Sequence, residues 1–142
     1  MASTLDLRVG SAAKPSEGID RHYVIKKRID SSDLSKYNSA LAALANLVSG
    51  NTYKYADIPA NTILVRAMIV VKSADGSTGT STLTDGSIVP LAAQVMNAKG
   101  AFAGVTNLPK WYEAAGIISG LIATNDITTA IFEVVLELID LN

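Results

Sequence analysis

The chain has no cysteine among its 142 residues. That excludes a disulfide framework and any thiolate metal site. It holds a single histidine, His22, and one tryptophan, Trp111. One histidine cannot build a metal centre without carboxylates at suitable spacing, and the sequence offers none. Charged residues make up 18% of the chain, below the roughly 25% usual for soluble domains. The formal net charge is −1, so no global field draws the chain to nucleic acid or to anionic lipid. Apolar runs are broken by Arg66, Glu133 and Glu137 and fall short of the ~18–20 residues of a membrane-spanning helix. Residues 1–18 carry no apolar core of a secretory leader. No cofactor is expected: the Gly-rich stretch near residue 76 lacks the Lys-Ser/Thr ending of a phosphate loop, and the aspartates there lack the spacing of a calcium loop.

What is abundant is aliphatic. Apolar residues are 49% of the chain. A domain this poor in charge has trouble clothing its surface, so part of that surface is expected to be buried against other protein molecules. The length fits one domain. Residues 1–18, rich in Ser, Ala and Gly, read as a flexible arm, and 19–142 as a single β-sandwich domain.

Strand periodicity is clearest over 57–72. A turn signal at Pro59-Ala60-Asn61-Thr62 leads into a run in which Ile63, Val65, Ala67, Ile69 and Val71 alternate with Leu64, Arg66, Met68, Val70 and Lys72. The first set is expected to form the core face. A second long strand covers 128–141, with Ala130, Phe132, Val134, Leu136 and Leu138 on one side and Ile131, Glu133, Val135, Glu137 and Ile139 on the other. If these two strands are neighbours, Arg66 and Lys72 can pair with the two glutamates across the ladder. Strands are also expected over 19–30 and 52–58, the latter with Tyr53, Tyr55 and Asp57 on one face. Asp75-Gly76 and Asp85-Gly86 mark turns around a short run at 80–84. Residues 88–96 suit either strand or helix, 100–104 read as loop, and 116–123 form a short apolar run. Between 32 and 49, Leu34, Tyr37, Leu41, Leu44, Leu47 and Val48 recur at helical spacing. The fold class is therefore mainly β: an antiparallel β-sandwich or jelly roll with one short helix.

Two clusters are candidates for protein contact. Lys26, Lys27 and Arg28 form a short basic run on the strand over 19–30; its bland explanation is a solvated strand edge that discourages stray pairing. Trp111 and Tyr112 follow Pro109 in an expected loop, where aromatics suit either a contact patch or a plug at one end of the core. Acid–base catalysis needs titratable groups converging in a pocket, whereas these carboxylates fall in turns or on an outer strand face, so no enzyme activity is expected.

The segment Tyr55-Ala56-Asp57-Ile58-Pro59-Ala60-Asn61-Thr62-Ile63-Leu64-Val65 precedes a hairpin containing Ser81-Thr82-Leu83-Thr84-Asp85-Gly86. The terminal strand is Ala130-Ile131-Phe132-Glu133-Val134-Val135-Leu136. Over 53–141 this pattern resembles the small β-sandwich structural proteins of tailed-bacteriophage virions, of the capsid decoration or cement type. Those proteins tend to read Leu-Thr-Val-Gly where Asp85 stands here. The resemblance implies a protein made in the host cytoplasm and located on the capsid surface, often trimeric in that group, with the major capsid protein as partner. It implies no nucleic-acid or membrane partner. Head-fibre, head–tail connector and tail components are alternatives within the particle, and a glycan- or receptor-binding module is one outside that role. The shell fold of tailed phages is much larger than this chain, which argues against a shell subunit.

Overall fold

The computed structural model describes residues 3–8, 21–37 and 46–141. Among them ten strands form two sheets that pack face to face. Sheet I runs β1 (Thr4–Asp6), β3 (Thr52–Ile58), β9 (Gly116–Ala123), β5 (Thr80–Thr84), β6 (Leu91–Val95). Sheet II runs β2 (His22–Asp30), β10 (Ile131–Asp140), β4 (Thr62–Ser73), β7 (Gly100–Gly104), with β8 (Lys110–Tyr112) also pairing β4. Every pairing is antiparallel except β1 with β3. From β2 to β5 successive strands alternate between the sheets, so the chain repeatedly crosses the core. The sandwich expected from the sequence is the observed architecture.

Alternation supplies the core. Ile25, Ile29, Tyr53, Tyr55, Ile69, Leu83, Ile118, Phe132, Leu136 and Leu138 are all buried between the layers. The sheets meet where Tyr55 of β3 sets its ring edge-on to Phe132 of β10, with centroids 5.8 Å apart. Gly120 makes room for this contact, since a Cβ there would lie 2.2 Å from the Tyr55 ring.

Two bulges alter the simple alternation. In β4 the register with β10 shifts between Glu137 and Leu138, so Arg66 opposes Glu137 while Leu64 opposes Leu138. The extra residue reverses the phase. Leu64 is buried, and Ile63 and Val65, expected in the core, are only half-buried. In β3 a shift between Lys54 and Ala56 likewise sends Tyr55, Ala56 and Ile58 inward and Asp57 out to solvent.

Residues 88–96 resolve as a strand that begins after Pro90, and residues 100–104, expected as loop, form β7 against β4. Small side chains give 100–104 little intrinsic strand preference; pairing with β4 decides its conformation. The expected helix over 32–49 is represented by a single 3-10 turn at Leu34–Lys36 and by Leu47, which bridges to Ile127 as extended chain. Its centre, with Leu41 and Leu44, lies outside the described residues. So do 9–20, the greater part of the expected arm, while Thr4–Asp6 lies in sheet I.

Two aspartates hold the crossings together at opposite ends of β4. Asp75, just after β4, is buried. It accepts from the backbone N–H groups of Ser77 (3.0 Å), Thr128 (2.9 Å) and Thr129 (2.7 Å) and from the Ser77 and Thr129 hydroxyls. Burial alone would raise its pKa, but these donors prevail and lower it to about 2. At the other end Asp85, in the β5–β6 turn, accepts from the Ile88 and Ser87 N–H groups (2.8 Å each), from Tyr112 Oη–H (2.7 Å) and from Lys110 Nζ. Burial opposes ionisation there too. The Ile88 N–H, Lys110 and Tyr112 outweigh it and hold the carboxyl well below its usual range.

Candidate interaction surface

Among the described residues no group of three His, Cys, Asp or Glu side chains is placed to hold a metal. An open depression of about 630 Å³ is lined by Ser49, Ser77, Thr78, Thr124, Asn125, Asp126 and Thr128. Several of its polar groups bond one another: Asn125 donates to Thr78 Oγ1 (2.8 Å) and the Ser49 N–H to Asp126 Oδ1 (2.8 Å). It offers a ligand hydroxyls and one carboxamide.

The outer face of sheet II is different. Residues directly opposite one another in an antiparallel ladder point to the same side, so the register gives the rows of this face. One row is Trp111–Ile63–Ile139–His22. A second is Arg66–Glu137–Val24. A third is Ala103–Met68–Val135–Lys26, and a fourth Ala101–Val70–Glu133–Arg28. Aliphatic and aromatic side chains fill most of these positions. Val135 is only 8% exposed although it faces outward. Val24 is 45% and Trp111 56% exposed.

The charges on this face are arranged in a consistent order. Arg66 grips Glu137 with two hydrogen bonds, Nη2–Oε1 2.7 Å and Nε–Oε2 3.1 Å. Lys72 pairs with Glu133 at 3.5 Å. These are the cross-strand pairs expected from the two long strands. In each the carboxylate is the more buried partner, at 22% and 21% side-chain exposure against 42% and 52% for the cations. Lys26 and Arg28 are exposed on the edge strand β2.

Both sequence candidates are split by the alternation of the strands that carry them. Lys26 and Arg28 lie on the outer face, but Lys27 points inward and is 3% exposed. Its ammonium sits 4.8 Å from the centroid of the Tyr37 ring, and desolvation lowers its pKa. Trp111 stands on the outer surface, its indole N–H donating to Asn61 Oδ1 (3.3 Å). Tyr112 turns inward, buried and bonded to Asp85. The residues not singled out in the sequence are the aliphatics between these two places, Ile63, Met68, Val70, Val135 and Ile139. The signal was present: a strand apolar on both faces in a chain with few charges.

No family model matches the sequence, and no curated protein matches it. Solved structures do. A chain of the capsid of Ralstonia phage GP4 superposes with a TM-score of 0.61 at 16% identity, over 92% of this chain and 90% of that one. A chain of the cyanophage Pam1 capsid asymmetric unit superposes with a TM-score of 0.60 at 15% identity, over 91% of this chain and 92% of the other. The fold is thus one found in phage capsids, and the likeness extends over nearly the whole of each chain.

Proposed function

We propose that this chain is a structural component of a phage virion, a capsid decoration protein that oligomerises, as a trimer, and docks on the lattice of the major capsid protein to stabilise it. The observation that carries the reading is the end-to-end likeness to chains of two phage capsids, each matched over at least nine-tenths of its length. The matched capsid chains are themselves close to this size, which supports a small capsid component over a large shell subunit. The apolar outer face of sheet II, which no element among the described residues covers, supports the same reading, because lattice docking needs a surface to bury. An oligomer touching several shell subunits at once converts weak single contacts into high avidity.

The test is addition of the purified protein to capsid shells that lack it. Saturable binding at a fixed number of copies per lattice repeat, together with a solution mass three times that of the chain, is the expected result. A monomer that leaves shells unbound would refute it. Imaging labelled particles distinguishes the capsid surface from a head fibre, connector or tail. The exposed Trp111 indole favours one alternative, a glycan-binding role, because a free aromatic face suits a sugar. Glycan-array binding abolished by Trp111→Ala, without shell binding, would establish that alternative.

A further inference from the structure

We propose that the outer face of sheet II, bordered by Lys26 and Arg28, docks on a protein surface that is apolar at its centre and carries carboxylates at its rim. The proposal rests on the reading above for the identity of that surface as part of the capsid shell. Strands β2, β10 and β4, of 9, 10 and 12 residues, with the shorter β7 and β8 beside β4, lie about 4.8 Å apart and rise about 3.3 Å per residue, so the face spans roughly 19 by 33 Å at its widest. That is the scale of a standard interface, which buries roughly 800 Å² on each partner.

Charge decides the occupant. The chain as a whole carries −1, yet this face presents cations outermost. Glu133 and Glu137 are each engaged by a more exposed cation. Among the described residues Lys26 and Arg28 have no ion pair. A second copy stacked with β2 over β2 would set Lys26 and Arg28 against like charges, and one stacked with β2 over β7 and β8 would set them against Ala101, Ala103 and Trp111; neither arrangement offers them a free carboxylate among the residues of these rows. A partner whose rim is acidic meets no such penalty and gains from the same four cations. Edge protection explains a lysine on β2 by itself. It does not explain why Val24, Met68, Val70, Ile63 and Trp111 lie on the same side of the sheet with no element of the described chain over them.

The experiment measures binding to capsid shells lacking this protein, as a function of salt, for the wild type, Lys26→Glu/Arg28→Glu, Val24→Ser, and Lys54→Glu on the outer face of sheet I. Thermal unfolding confirms that each variant is folded. The wild type should bind less tightly as salt rises. The double reversal should bind at least about thirtyfold more weakly, Val24→Ser several-fold more weakly, and Lys54→Glu within about twofold of wild type. Equal binding by the double reversal and the wild type would overturn the proposal while leaving the capsid role standing. So would loss confined to Lys54→Glu. An oligomer that dissociates on Lys26→Glu/Arg28→Glu would also overturn it, by showing that a second copy occupies this face. Failure of the wild type itself to bind shells would bring down the capsid role, and this proposal with it.

Discussion

The two sheets of this sandwich share one core and differ on their outer faces. On sheet I the register gives the rows Thr4–Thr52–Leu121–Thr82 and Asp6–Lys54–Ser119–Thr84. Seven of those eight positions are polar, and Leu121 stands between two threonines. Sheet II shows mainly aliphatic rows closed by two ion pairs. A sheet with one solvated side alternates apolar-in and polar-out, and sheet I obeys that rule. Sheet II breaks it over its two longest strands, β4 and β10. Much of the aliphatic excess of the composition is therefore gathered onto one outer side, where the charges stand as two ion pairs and a basic edge. This is the pattern that the proposed docking requires.

The most drastic way to break the comparison is to remove what the faces have in common. Phe132→Ala empties the contact with Tyr55 at the centre of the sandwich and should cost about 3–5 kcal/mol. Both sheets should lose hydrogen-exchange protection in a single transition. Protection persisting in sheet II after sheet I has opened would mean that the two are separate cooperative units.

Next come the clamps at the crossings, which belong to neither outer face. The Asp75 carboxyl titrates at about 2 in the folded protein against 3.8 for the unperturbed group. A depressed pKa gives stability that is fully present above about pH 4 and is lost as pH falls from about 4 to 2. Asp75→Asn should therefore cost about 2 kcal/mol at neutral pH and flatten the acid limb of the stability curve in that window. Urea titrations from pH 7 to pH 2 would read this. An acid limb as steep in the variant as in the wild type would leave the clamp without a role in stability.

A smaller and more direct test compares one residue from each face. Val135→Thr places a hydroxyl at an outward position that its neighbours have nearly closed to water, and should cost about 1–2 kcal/mol. Leu121→Thr, at 40% exposure on sheet I, should stay within about 0.5 kcal/mol. Equal costs would mean that the faces differ in composition but not in their packing.

The sandwich was legible because period two is a strong signal in long strands, and β4 and β10 are long. Their cross-strand ion pairs followed from the same alternation. The bulges at Val65 and Tyr55 left no mark in the sequence, since one extra residue changes the facing of a strand without changing its composition. Residues 100–104 were missed because Gly and Ala take strand conformation there only through their partner β4. The facing of the contact candidates was only half legible. Alternation had already put Lys27 beside Ile25, and reading the three cations as one patch ignored that. Treating 108–112 as loop hid that Trp111 and Tyr112, adjacent in a strand, must face opposite ways. The aliphatic outer face went unnamed as a site because a sequence does not say which apolar positions lack a covering layer.

The smallest effect sharpens the comparison furthest. Arg66 and Glu137 form a bidentate pair on the apolar face, open to water on the Arg66 side. Pairs of this kind on an exposed strand face contribute about 0.2–1 kcal/mol. A double-mutant cycle with Arg66→Ala and Glu137→Ala in the free protein should give a coupling in that range, weakening as salt is raised from 0.05 to about 0.5 M. A coupling near zero would make the pair a solubility device that only separates the aliphatic rows. A coupling well above 2 kcal/mol, insensitive to salt, would show that the pair is already desolvated and that the face is covered before any partner arrives. The intermediate value is the one an open face requires. On docking, the same pair would lose its water and its coupling would strengthen, so the cycle repeated on shell-bound protein reports directly whether sheet II is the side that gets buried.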